Sequence, residues 1–62
     1  MPNNWIGKYL YKYRLKFNLT QEQLGIIIVA SQSQISRWEH GVNIPNKLRL
    51  EEIMRVLKGR PQ

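Results

Sequence analysis

Cysteine is absent from this 62-residue sequence, and His40 is its single histidine. Disulfide bonds and cysteine-ligated metal sites are therefore excluded, and His40 has no second histidine with which to share a metal. Only four residues are acidic and none is aspartate, so a catalytic pair of carboxylates is difficult to assemble. We therefore expect neither an enzyme nor a protein that holds a metal or another cofactor.

Long apolar stretches are also missing. The longest run, residues 24–30, is interrupted by Gly25 and is far shorter than the roughly 20 residues that cross a bilayer. The N-terminal residues do not show a basic start followed by an apolar segment, so we expect no signal peptide. These absences predict no membrane partner, and the lack of cysteine is compatible with a cytoplasmic location.

Basic residues, in contrast, are abundant. The formal net charge is +6 and the isoelectric point is about 10.2. Such a charge favours a polyanionic partner, and nucleic acid comes before a membrane surface. A chain of this length makes one small domain, which we place at residues 1–62 with an ordered core from about residue 4 to residue 58.

Two helix-start motifs of the form S/T-x-x-E/Q lie eleven residues apart, at Thr20–Gln23 and Ser31–Gln34. In each motif the hydroxyl can accept from the N–H three residues later, while the glutamine accepts from the N–H of the cap residue. Two short helices this close in sequence must turn sharply on each other. The pair of motifs therefore predicts a helix-turn-helix arrangement.

The remaining pattern predicts two further helices and no strand, so the fold class is all-α. Apolar residues repeat on one helical face over residues 4–17, and Asn18 is a candidate left-handed stop. Asn3 or Asn4 can cap this first helix, and Asn46 can cap a last helix over residues 47–58. The middle helices are expected at residues 21–28 and at 32–39 or 40, with Gly41 after them.

These apolar stripes also predict the core. The residues expected to be buried are Ile6, Leu10, Tyr13, Leu19, Leu24, Ile28, Ala30, Ile35, Trp38, Leu50, Ile53 and Leu57. Gly25 lies in the middle of the second helix, where it costs about 1 kcal/mol relative to alanine. It is either a neutral surface glycine or, as we favour, a point of close approach between helices 2 and 3.

Three parts of the sequence follow one another at a fixed spacing. They are LTQEQL at 19–24, SQSQISRWEHG at 31–41, and Pro45-Asn46 followed by the apolar repeat of the last helix. Together they resemble the lambda-repressor-like, or Cro/XRE, family of helix-turn-helix DNA-binding domains. The resemblance covers roughly residues 6–57. It implies a compact four-helix domain in which helix 3 enters the major groove of double-stranded DNA.

The resemblance also implies roles for residues of helix 3. Gln32 and Ser33 stand at the first two positions, where the family places its main base-reading residues, and glutamine can contact adenine in a bidentate manner. Arg37, about one and a half turns further along, either reads guanine or binds a phosphate, and we favour base reading. Gln34 is either a capping residue or a DNA contact, and Ser36 contacts a phosphate or water.

Contacts to the DNA backbone are implied at three further positions. Gln21 matches the family's phosphate-binding glutamine at the start of helix 2, although it could equally be an ordinary polar first-turn residue. Asn43 and Lys47 flank the loop that meets the backbone. Arg14 and Glu39 match a structural ion pair between helix 1 and the end of helix 3.

The chain departs from the family pattern at three places. Val29 stands where the turn usually has glycine or asparagine, so the turn is either built differently or strained. Ile26 and Ile27 replace polar residues, and we expect them to be exposed and to form a protein interface. The sequence stops soon after helix 4, so we do not expect dimer contacts from a fifth helix.

Taken together, the pattern predicts a transcriptional repressor that binds an operator as a homodimer, with two half-sites about one helical turn apart. The alternative is a protein-interaction module, such as an antitoxin that holds its partner through the Ile26–Ile27 surface and binds DNA secondarily.

Overall fold

The computed structural model describes residues 5–59 and contains four helices in this range. The first, α1, spans Trp5–Phe17 and ends where expected, at Asn18. Asn18 has a φ of 56°, the left-handed conformation that asparagine tolerates, and Leu19 N–H donates to Arg14 O at 2.8 Å to close the end of the helix. The predicted caps Asn3 and Asn4 lie outside the described residues.

Both capping boxes are formed, so the second helix, α2 (Gln21–Ile28), and the third, α3 (Gln32–Glu39), begin where the sequence predicts. Gln23 N–H donates to Thr20 Oγ1 at 3.0 Å, and Gln23 Oε1 accepts from Thr20 N–H at 2.8 Å. The corresponding bonds between Ser31 and Gln34 are both 3.1 Å long. Each box thus satisfies two N–H groups near the start of its helix.

After α3 the chain turns at Gly41, whose φ of 74° suits a residue without a Cβ. The last helix, α4, spans Lys47–Lys58. Its predicted cap is confirmed, because Asn46 Oδ1 accepts from Arg49 N–H at 2.8 Å. Pro45, just before this cap, is buried. The loop is therefore anchored to the rest of the fold immediately before α4 begins.

The core lies where the four apolar stripes meet. Nine of the expected residues are buried, namely Ile6, Leu10, Tyr13, Leu24, Ile28, Ile35, Trp38, Ile53 and Leu57. Leu19, Ala30 and Leu50 are only partly buried and pack against the edge of this cluster. They sit at helix boundaries or at the margin of a stripe, where a small fold has too few neighbours to cover them fully. Trp38 is in the core and is not available for base stacking.

Close approach at Gly25 is confirmed, but the approaching group is the turn before α3 rather than α3 itself. A Cβ added at this position would overlap the carbonyl oxygen of Ala30, which is backbone and cannot move aside easily. The same tight turn brings Ala30 N–H to 2.8 Å from Gly25 O. Glycine is therefore required here for the chain to double back from α2 into α3.

The turn after α2 has the left-handed geometry of the family, although its residue is valine. Val29 has φ 60° and ψ 57°, and its N–H donates to Gly25 O. A β-branched residue adopts this conformation only at a cost, so the turn is strained rather than rebuilt. The sequence left these two alternatives open, and the backbone angles decide between them.

Among residues 5–59, no helix has the length and apolar character needed to pass through a membrane. The longest of the four, α1, has 13 residues.

Candidate nucleic-acid interface

One side of α3 projects three polar side chains into solvent. Gln32 and Ser33 occupy its first two positions, and both are exposed. Arg37 is also exposed and lies four residues after Ser33, hence on the same side of the helix. The buried side of α3 is provided by Ile35 and Trp38, which fix the rotation of the helix and so determine which residues face outward.

These side chains share one shallow polar concavity. It is lined by the predicted base-reading and backbone-contacting residues Gln21, Gln32, Ser33, Ser36 and Arg37. The residues come from two helices and from sequence positions up to 16 apart. The first capping box places Gln21 there by setting the start of α2, and the second places Gln32 and Ser33. The fold therefore gathers residues that only the family pattern had linked.

Two of the three remaining predicted contacts lie beside this concavity. Gln34 and Asn43 line a second concavity, of which Arg37 forms the shared boundary. The capping role predicted as one alternative for Gln34 is confirmed, since its Oε1 accepts from Ser31 N–H at 3.1 Å. Lys47 is the first residue of α4 and is exposed, but it lines neither concavity.

An ion pair between Arg14 and Glu39 ties α1 to the end of α3. Arg14 Nε donates to Glu39 Oε2 at 2.7 Å, and Nη2 donates to Oε1 at 2.8 Å, which makes the contact bidentate. Both side chains are largely buried, with exposed fractions of 16% for Arg14 and 6% for Glu39. The hydrogen bond to Glu39 and the charge of that carboxylate raise the pKa of Arg14, against the effect of burial.

Gln21 belongs to the same network. Its Nε2 donates to Glu39 Oε1 at 3.1 Å, while Arg14 Nη1 donates to Leu19 O at 3.1 Å. These bonds connect the start of α2 with the end of α3 and hold the Gln21 amide at one edge of the polar concavity. The Gln21 amide nitrogen carries a second N–H that this bond does not use.

The predicted exposure of Ile26 and Ile27 holds for Ile26 alone, and the protein interface stays a prediction. Ile26 is exposed, with 76% of its surface accessible, whereas Ile27 is partly buried and packs against the core. Successive residues on a helix point about 100° apart, so one of two neighbours can face solvent while the other turns towards the core. Here α4 packs against α2. Ile27 is therefore wrong as an exposed interface residue.

Arg49 has a structural role that the sequence did not indicate. Its Nη2 donates to Ile28 O at 2.7 Å and to Val29 O at 2.6 Å, so α4 caps the C-terminal end of α2. An arginine twenty residues away in the sequence gives no local signal of such a bond. The only hint was the strained Val29 turn, whose carbonyl groups need a donor.

A third concavity adjoins the polar one and was also missed. Ile26, Val29, Ala30 and Gln32 contribute to its lining, so Gln32 lies on the boundary between a polar and a more apolar surface. In the part of the chain that the structure describes, no group of three or more His, Cys, Asp or Glu residues could hold a metal ion. The chemistry offered by this face is hydrogen bonding, positive charge and apolar contact.

Comparison with known proteins agrees with this geometry. Residues 10–62 match the family described as helix-turn-helix. The matched range includes α2, α3 and α4 and the larger part of α1. Neither the curated proteins nor the solved structures gave a significant match. Because the family match covers most of the chain and the four-helix fold agrees with it, the protein belongs to the Cro/C1-type helix-turn-helix family of DNA-binding regulators.

Proposed function

We propose that this protein is a sequence-specific transcriptional repressor that binds an operator in double-stranded DNA and excludes polymerase from it. One observation carries the proposal: Gln21, Gln32, Ser33, Ser36 and Arg37 line a single concavity, in which Gln32 and Ser33 lie at the N-terminal end of α3. This is the end that a recognition helix presents to base edges. A DNA-binding role further supports a cytoplasmic or nucleoid location, with residues 1–62 acting as one domain.

In this proposal α3 reads bases through three side chains. Gln32 contacts adenine N6 and N7, Ser33 contacts the neighbouring base edge, and Arg37 contacts guanine O6 and N7. Their exposure supports these roles, because none of the three is held in the core. Arg37 is flanked by concavities on both sides, which leaves its guanidinium room to enter the groove.

Backbone contacts fix the register of the domain on the duplex. Gln21 binds a phosphate at the start of α2, where helix N–H groups point outward. Asn43 and Lys47 bind the same or the next phosphate from the loop and from α4, and Ser36 adds a hydroxyl. Gln34 keeps its capping bond, so only its Nε2 is available to DNA.

Two copies of the chain would bind a palindromic operator. A recognition helix of eight residues contacts only a few base pairs, so one domain alone gives limited specificity. A homodimer with half-sites about one helical turn apart doubles the number of base pairs that are read. The net charge of +6 supports the electrostatic part of the binding.

Selection from random duplex DNA tests the proposal directly. We expect an enriched palindromic motif, and we expect log K to fall with log salt with a slope near −5 if about six phosphates are neutralised. Gln32→Ala or Arg37→Ala should cost about 1–3 kcal/mol at one base position of that motif. Arg55→Ala, an exposed arginine on α4, is the matched control and should leave the motif unchanged.

Two outcomes would count against parts of this proposal. A uniform loss of affinity over all sequences in Arg37→Ala would assign Arg37 to phosphate binding rather than to base reading. The absence of any enriched motif, together with co-purification of a protein partner, would instead support a protein-interaction module.

A further inference from the structure

Ile26 and Val29 are the two most exposed large apolar side chains among residues 5–59. The accessible fractions are 76% for Ile26 and 83% for Val29. Both line the same concavity as Gln32, and we call this surface, formed by Ile26 and Val29, the apolar edge. It adjoins the polar concavity through Gln32, so it continues the surface that carries the proposed base-reading residues.

The apolar edge is held rigidly despite its exposure. Val29 N–H donates to Gly25 O, and Val29 O accepts from Arg49 Nη2 at 2.6 Å. The neighbouring Ala30 N–H also donates to Gly25 O, at 2.8 Å. A strained residue persists when its surroundings determine its conformation in this way, and such residues cluster at binding sites. The side chain of Val29 is thus directed outward by hydrogen bonds to the backbone of the turn, one of them from the Arg49 side chain.

We propose that the apolar edge reads thymine, by contact of Val29 and Ile26 with the C5-methyl group of a thymine at or next to the base pair read by Gln32. This inference rests on the proposed DNA-binding function. An A·T pair presents adenine N6 and N7 and the thymine methyl side by side in the major groove. A glutamine beside exposed apolar side chains complements this row of polar and apolar groups.

The size and the surroundings of the apolar edge favour a base contact over a protein partner. Since Ile27 is turned towards the core, only two side chains remain, whereas a stable protein interface buries about 800 Å² on each partner. Glu22 lines the same concavity. Its negative charge disfavours a phosphate at this place, but it does not oppose an uncharged methyl group.

Replacement of thymine by uracil in the selected operator tests the inference, because uracil lacks only the methyl group. The base pair read by Gln32 is located first. It is the pair at which the Gln32→Ala variant no longer discriminates between bases. Binding of the full chain to each substituted duplex is then measured at one fixed salt concentration. We expect uracil at or beside this pair to weaken wild-type binding about three- to fivefold, as for one buried methyl group.

The variants decide whether the apolar edge causes this effect. In Val29→Ala and Ile26→Ala the uracil-to-thymine ratio should fall towards one, while the salt slope remains that of the wild type. Val42→Ala is the matched control, since Val42 is also an exposed valine, at 70%, but lies outside the apolar edge. It should retain the full sensitivity to uracil.

Each other outcome overturns the inference in a recognisable way. Sequence-selective binding with no loss on uracil substitution, or with a loss that Val29→Ala does not change, rejects the thymine contact and leaves the proposed function intact. A change in sedimentation in Ile26→Ala or Val29→Ala, without a change in the uracil-to-thymine ratio, assigns the apolar edge to a protein partner. A failure of the selection to yield any motif rejects the proposed function and the inference together.

Discussion

Replacing Val29 by glycine should stabilise the protein, although it removes an apolar side chain. Val29 has a φ of 60°, which costs a residue with a Cβ about 1–2 kcal/mol, with a β-branched residue near the upper value. Against this gain, glycine increases the backbone entropy of the unfolded chain by about 0.4–1 kcal/mol. The side chain is 83% exposed, so little apolar burial is lost. We expect a net stabilisation of about 1 kcal/mol.

Val42 provides the matched control for this experiment. Val42 is 70% exposed and its φ is not positive. Val42→Gly therefore raises the entropy of the unfolded chain without relieving any strain in the folded state. We expect Val42→Gly to destabilise the fold by about 0.5–1 kcal/mol, a change of opposite sign. Urea denaturation followed by circular dichroism at 222 nm gives both free energies of unfolding, and equal m-values for the variants would validate the comparison.

The reasoning fails if both glycine variants lose stability to the same extent. Such a result would mean that the left-handed backbone at Val29 carries no appreciable strain, or that the surrounding hydrogen bonds depend on the valine side chain. Val29→Asn separates these cases, because asparagine tolerates the left-handed region while keeping a side chain. No change with asparagine would indicate an unstrained backbone at position 29, whereas a loss of stability would indicate that the surrounding hydrogen bonds depend on the valine side chain.

Three further substitutions probe the contacts that hold α2 and α3 in place. Arg49→Ala should destabilise the fold by about 1–2 kcal/mol, because two carbonyl groups lose a charged donor, and its cost should be smaller in a Val29→Gly background. Gly25→Ala should cost at least about 2 kcal/mol in denaturant unfolding despite the better helix propensity of alanine, since the new Cβ overlaps backbone. Arg14→Ala should lower the free energy of unfolding by about 2–3 kcal/mol, because Glu39, only 6% exposed, loses its bidentate partner. The control Lys12→Ala, on the exposed side of α1, should lower it by less than about 0.5 kcal/mol in the same assay.

Features that depend on local chemistry could be predicted from the sequence. The two capping boxes, the cap at Asn46 and the left-handed stop at Asn18 each involve residues within a few positions of one another. Apolar periodicity similarly assigned Ile35 and Trp38 to the core, because the period of a helix determines which side chains share a face. The four helices followed from these signals, and the family match covers the same arrangement.

Features that depend on packing between helices could not be predicted in this way. The capping of α2 by Arg49 joins residues twenty positions apart, and no pattern in the sequence marks it. The partial burial of Ile27 depends on how α2 packs against the core, which a helix considered alone does not reveal. Likewise, exposure of Val29 on the same concavity as Gln32 results from the tight turn at Gly25 rather than from sequence spacing.

The strained turn places stability and recognition in opposition at one residue. Glycine at position 29 should raise the free energy of unfolding, whereas it removes the apolar contact proposed to read thymine. Hydrogen bonds with Arg49 and Gly25 stabilise the strained conformation, because they hold the Val29 carbonyl and N–H groups independently of its side chain. A sequence under pressure for stability alone would place glycine or asparagine here. Valine at an exposed, left-handed position is therefore better explained by the proposed contact of its side chain with thymine than by the fold that it weakens.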